Sequence, residues 1–186
     1  MIVGFVSTPT KMTFQQRKIF YYIIELFAND ITEFHHGDRY WADVQAHKII
    51  KQISSNIKTV IHPPKCKKFR AYCTSSKTVS LEEKNYIPRS HDIADCELVI
   101  AAPKKIEALY SGTWEAIRYA KEQGRKIIII QPDGTLVFFN CADMEKYILI
   151  NISFAKKDIT YESRLHNEID EESCIKIIKM RSRNQS

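Results

Sequence analysis

Three short clusters in this sequence combine residue types that hold phosphate and sugar. The first is Gly4-x-x-Ser7-Thr8, at the end of the apolar run 2–6. A glycine there lets the backbone approach a ligand, and the two residues at the turn bring hydroxyls. The second is Gly37-Asp38, followed by Asp43 at roughly one helical turn. Carboxylates so placed can hold ribose hydroxyls, hold a metal, or start their own helix. The third is Ser111-Gly112-Thr113 at the head of the helical pattern 108–124. A helix entered through these residues offers free N–H groups, two hydroxyls and the positive end of its dipole, which together suit an anion, most often phosphate. The bland alternative is that Ser111 merely caps the helix. Arg89, beside Ser90, His91 and Asp92, either grips a phosphate in bidentate fashion or makes a surface ion pair. Glu115 is a general acid or base, a ribose ligand, or a first-turn glutamate favoured by the helix dipole. His35 and His36 are adjacent in a strand pattern and point to opposite faces, so they cannot share one metal. A site including His62 is the remaining metal option, and neither metal nor cofactor is expected.

These clusters need a scaffold that brings them to one edge, and the periodicities supply it. Continuous apolar runs at 2–6, 98–102 and 127–130 suit central parallel strands covered on both faces. Residues 31–36 and 58–62 read as two further strands. Thr13-x-x-Gln16 is a capping box opening a helix whose apolar face is Ile19, Phe20, Ile23, Leu26 and Phe27. Ala46, Ile49, Ile50 and Ile53 give a second helix its buried stripe. Pro88 opens a short segment through Ala94, and Gly124 stands where a helix C′ residue belongs. Residues 65–86 form a long basic connection without apolar period, and such loops often serve as lids. Strand and helix alternate, which argues an α/β fold: a Rossmann-like open parallel sheet of order 3-2-1-4-5 with helices on both faces. The switch point falls between the first and fourth strands, where ligands bind outside the carboxyl ends. The turns after those strands carry the first and third clusters. Residues 1–140 form the nucleotide-binding part. Residues 141–186 are a C-terminal extension of the same domain, with an edge strand at 148–152 and a charged helix over about 167–180 that packs on the sheet or mediates association.

Composition bounds the function classes. The chain has 186 residues and a net charge of +6. The excess of base fits an anionic small ligand, a nucleic acid or plain solubility. Five scattered cysteines without a C-x-x-C pair argue for a reducing compartment, hence the cytoplasm, and against a structural zinc. No apolar run approaches the ~20 residues of a membrane span, and no secretion signal opens the chain. No G-x-G-x-x-G fingerprint and no Walker A lysine motif occur, which disfavours classical NAD binding and P-loop NTPase chemistry.

Taken in order, GFVSTPTKMT, FHHGDRYWADVQAH, IHPP, RAY, IPRSHDIADCELVIAAPK and SGTWEAIRYAKEQGRKIIIIQPDG resemble the SMF/DprA–LOG superfamily of Rossmann-like nucleotide-binding proteins, in its small stand-alone members. The resemblance covers about residues 2–135. It implies a nucleotide-derived ligand over the carboxyl ends of the first and fourth strands. Gly4, Ser7 and Thr8 match the first phosphate or ribose turn, and Gly37, Asp38 and Asp43 the second block. Arg89 matches the arginine before the fourth strand, and Ser111, Gly112 and Thr113 the helix-entry phosphate loop. The chain departs from the Lonely Guy phosphoribohydrolases of this group, whose motif is P-G-G-x-G-T-x-x-E. The double glycine is missing, and Ala116 stands at the position of their catalytic glutamate. Glu115 is the nearest glutamate, about 100° around the helix. The expectation is a binding or sensing protein for a nucleotide-like small molecule, assembled as a homo-oligomer. The alternative is an N-glycosidase of nucleoside monophosphates, with Arg89 gripping the phosphate and Glu115 or Asp43 assisting glycosidic cleavage. A DNA-binding role for the basic loop 65–70 is less favoured.

Overall fold

The computed structural model of the chain describes residues 1–155. Its elements are β1 (Ile2–Ser7), α1 (Phe14–Leu26), β2 (Glu33–His36), α2 (Ala42–Ile53), β3 (Lys58–Ile61), β4 (Thr78–Ser80), α3 (Tyr86–Ala94), β5 (Leu98–Ala102), α4 (Gly112–Glu122), β6 (Lys126–Ile130), β7 (Leu136–Phe139) and α5 (Ala142–Ala155). The strands form one sheet of order β4-β3-β2-β1-β5-β6-β7. Every pairing is parallel except the antiparallel β6–β7 hairpin. Its inner five strands, β3-β2-β1-β5-β6, are the order expected from the alternation of strands and helices. The reversal lies between β1 and β5, where both neighbouring crossovers leave the sheet on opposite sides.

Alternation along β1 sorts the two helical layers. Phe5 points to the α1 side, where its ring meets Phe20 at 5.0 Å and Phe34 at 6.2 Å between centroids. Val6 points to the other side and joins Ile93 of α3 with Trp114, Ile117 and Ala120 of α4 in a buried cluster. The capping box forms as its spacing predicts, with Gln16 N–H donating to Thr13 Oγ1 at 3.1 Å and Thr13 N–H to Gln16 Oε1 at 3.0 Å. Gln16 does more than cap. Its buried Nε2 donates to the carbonyls of Pro103 and Ile130, at 2.8 and 2.9 Å, tying α1 to the ends of β5 and β6. Gly124 takes φ +68 just past the end of α4, a conformation that favours glycine.

Two expectations change. The stretch 65–86 is not a free loop. It contains a 3-10 turn at Lys67–Phe69 and the edge strand β4, and it is pinned by bridges from Arg39 to Arg70 and from Pro64 to Lys84. The strand expected at 148–152 lies inside α5. Ile148 and Ile152 are buried while Leu149 and Ile150 are about half exposed, which is a four-residue period and not an alternating one. The chain parts into two compact units, Met1–Ile148 and a second starting at Leu149. The helix expected at 167–180 lies outside the described residues.

Candidate anion-binding cleft

The parallel strands β1 and β2 end at Ser7 and His36, and the following turns open toward the start of α4. A small cleft of about 20 Å3 lies there, lined among others by Ser7, Gly37, Asp43, Arg89, Gly112 and Thr113. Residues from all three clusters, and the arginine, therefore converge. Asp43 is brought in by the first turn of α2 and is 4 % exposed. Its Oδ1 accepts from Ser7 Oγ at 2.8 Å and its Oδ2 from Arg39 N–H at 3.0 Å. Burial raises the Asp43 carboxyl, while those hydrogen bonds and the Arg89 charge pull it back.

Arg89 is no surface ion-pair residue. It lies on α3, 4 % exposed, and its Nη1 donates to the Gly37 carbonyl at 2.9 Å. Its Nε is buried without a hydrogen-bond partner. Burial lowers the guanidinium, and Asp43 chiefly opposes this. An arginine stays charged through such shifts, so the cleft has a dehydrated cation with spare donor capacity. Gly37 is glycine for a local reason. A Cβ there would stand 3.1 Å from Asp43 Oδ2 and 3.3 Å from Arg89 Cζ.

The start of α4 completes the cleft. Ser111 occupies the N-cap position but makes no side-chain capping bond, so the capping alternative fails and the first N–H groups of the helix keep their donor capacity. Gly112 leaves room for the ring of Tyr86, which a Cβ would strike. Arg39 and Arg89 present their guanidinium carbons to that ring at 5.8 and 5.4 Å from its centroid. The positive end of a helix dipole and two cations thus meet beside one ring, where the dipole and the cations would both favour an anion.

The fold is similar to that of solved structures. The molybdenum cofactor binding protein from the phototrophic bacterium Rippkaea orientalis superposes with a TM-score of 0.54 at 17% identity, over 96% of this chain and 95% of that one. The Moco carrier protein from Chlamydomonas reinhardtii gives 0.48 at 12% identity, over 79% and 81% of the two chains. No protein-family model and no curated protein matches the sequence. The Rippkaea superposition agrees with the Rossmann-like α/β architecture of the described residues.

Other residues singled out from the sequence go elsewhere. Gly4 lies in the middle of β1, where a Cβ would run into the Ile93 carbonyl and approach Cys96 Sγ to 3.2 Å. Its smallness lets α3 pack on the sheet and does not serve a ligand. Thr8 faces Thr10, with hydroxyls 2.9 Å apart, and does not line the cleft. Asp38 is fully buried at φ 55. It accepts from Arg70 Nε at 3.0 Å and from Cys73 N–H at 2.9 Å, so it anchors the 65–86 stretch instead of facing a sugar. Glu115 is bonded through Oε1 to His91 Nε2 at 2.6 Å, between α4 and α3, and is not among the residues of the cleft. Arg39 and Tyr86 line the cleft without having been singled out. Their only sequence signal was proximity to Gly37 and to Arg89.

The histidines form pairs through the sheet. His35 Nδ1 lies 3.0 Å from His62 Nε2, and His35 Nε2 lies 3.0 Å from Glu33 Oε2. On the other face, Asp38 N–H donates to His36 Nδ1 at 3.1 Å, and His36 Nε2 lies 3.1 Å from His47 Nδ1. With Cys73 these last two could be grouped around a metal, their ligand atoms all lying within 4.8 Å. The Asp38 N–H bond opposes that grouping. It leaves the proton of a neutral His36 on Nε2, the nitrogen that faces His47.

Proposed function

We propose that this chain binds a phosphate-bearing, nucleotide-derived small molecule at the carboxyl ends of β1 and β2, as a binding or carrier protein of the SMF/DprA–LOG type. The observation that carries this reading is Arg89, a buried guanidinium on the cleft wall whose Nε lacks a partner. A desolvated charge with an unused donor is costly unless something completes it, and a phosphate oxygen does so. The uncapped start of α4 beside it adds donors of the same kind. Binding is favoured over turnover because Glu115 is held by His91 outside the cleft. One observation supports a second reading, N-glycosidic hydrolysis: Asp43 lines the cleft with a carboxyl raised by burial, as suits a general acid. The described cysteines Cys66, Cys73, Cys96 and Cys141 are all free, which fits a cytoplasmic setting. No helix among the described residues is long and apolar enough to cross a membrane.

A thermal-shift screen of nucleoside monophosphates, cyclic nucleotides and the molybdenum cofactor tests the reading, followed by chromatography of any stabilising compound after overnight incubation. Recovery of the intact compound supports binding, and release of free base supports hydrolysis through Asp43. Gly112→Val is the control. Its Cβ drives the Tyr86 ring off the start of α4, with the branched side chain now in the phosphate position, so binding should vanish while the melting temperature stays near that of wild type. Unchanged binding in that variant removes α4 from the site.

A further inference from the structure

We infer that the ligand carries a second, separate anionic group, held in an adjoining cleft; this rests on the phosphate reading of the Arg89 cleft. The adjoining cleft measures about 150 Å3 and shares three wall residues, Arg39, Tyr86 and Arg89, with the first. One molecule can therefore reach into both. Its remaining wall includes Lys65, Lys84 and Phe69, and no carboxylate lines it. Lys84 is paired with Asp92 at 2.7 Å, which leaves Arg39 and Lys65, beside the shared Arg89, as the cations lining the space. A neutral sugar or base would be served by the two aromatic faces alone. Cations without a facing carboxylate repel one another, and an anion relieves that repulsion.

The walls are built by the fold and are not incidental side chains on a loose loop. Lys65 N–H donates to the Lys84 carbonyl and Lys84 N–H to the Pro63 carbonyl, each at 3.1 Å. Tyr40 N–H donates to the Phe69 carbonyl at 3.0 Å. Together these bonds fix both banks of the cleft against the ends of β2 and β3. Tyr86 is the partition between the two spaces. Its ring lies on Gly112, and the residue is 39% exposed. The first cleft, with room for about one water, takes a phosphate only when that ring moves, and the same movement joins the clefts. A second anionic group then lies beside Arg39 and Lys65 while the first lies at Arg89 and α4.

The test compares adenosine 5′-monophosphate with adenosine 3′,5′-bisphosphate by calorimetry, on the wild type, Lys65→Ala, Lys65→Arg and Arg89→Ala. Lys65 is exposed, so its replacement leaves the fold intact, and the melting temperature checks this. The bisphosphate should bind more tightly than the monophosphate. Lys65→Ala should weaken the bisphosphate about five-fold, leave the monophosphate unchanged, and be rescued by Lys65→Arg. Equal affinity of the two compounds for the wild type, or equal weakening of both by Lys65→Ala, overturns the second subsite. Undiminished monophosphate binding by Arg89→Ala instead overturns the phosphate reading of the first cleft, and the Lys65 arm still reports on the second. If neither compound binds the wild type, both ideas fall.

Discussion

Arg70 and Arg89 each bring a guanidinium toward the end of β2, and they are opposites in one respect. Arg70 has a partner for each of its nitrogens: Asp38 at 3.0 Å, Glu83 at 2.8 Å and Ser80 at 3.4 Å. Arg89 has the Gly37 carbonyl on Nη1 and nothing on its buried Nε. The saturated arginine is a lock. It joins β4 and the 65–86 stretch to the Asp38 turn, and each of its nitrogens is engaged within the fold. The unsaturated one is deeper and less satisfied, which is an expensive way to build a fold and a useful way to hold an anion. The contrast is between a guanidinium engaged at every nitrogen within the fold and one on the cleft wall that keeps a buried donor open.

The largest expected effect breaks the lock. Asp38→Ala strands the Arg70 Nε and the Cys73 N–H, so unfolding in urea should show a loss of about 3–5 kcal/mol, as for breaking a buried pair. A loss below about 1 kcal/mol would mean that Arg70 is not a structural lock. Acid attacks the same side of the molecule. Burial first, then the neighbouring His35, lowers His62 to about 4 from the ordinary 6.5, against the opposing pull of Asp92. Between these values the unfolded chain binds a proton that the folded chain refuses. Stability is therefore intact above pH 6.5, falls as the pH drops toward 4, and should lose on the order of 3 kcal/mol from this group. His62→Asn should flatten that slope when unfolding free energy is measured against pH. A slope of equal steepness in the variant assigns the effect to other histidines.

On the other side of the comparison, Arg89→Ala should weaken a phosphorylated ligand by about ten- to a hundred-fold, on the order of 1.5–3 kcal/mol, and its unphosphorylated nucleoside far less. Equal weakening of both, measured by calorimetry, would make Arg89 a second lock. The smallest effect belongs to Glu115→Gln. Its partner His91 is about a third exposed and so is Glu115, so stability should change by less than about 1 kcal/mol and ligand affinity by no more than a few-fold. A large drop in affinity would return Glu115 to the site.

The sequence by itself determined the layered α/β architecture and the switch point, because buried parallel strands and amphipathic helices announce themselves by period and need no distant partner. The capping box at Thr13 and the terminal Gly124 were equally legible, since both are set by neighbours a few residues away. The convergence of Ser7, Gly37, Asp43, Arg89 and Gly112 followed from the topology. What the tertiary structure alone decided was the duty of each polar side chain. Asp38 and Asp43 lie five positions apart and look alike in the sequence. One is consumed by Arg70, 32 residues away, and the other lines the cleft. Gly4 serves a helix contact, and Gly112 lines the cleft while making room for a tyrosine ring that no local pattern announces. Glu115 turned away because α3 offers it His91, a partner that no local pattern around residue 115 encodes. Backbone form follows from local sterics and burial period. Hydrogen-bond partners depend on which surfaces folding brings within 3 Å, and that is fixed only when the whole sheet and its crossovers are in place.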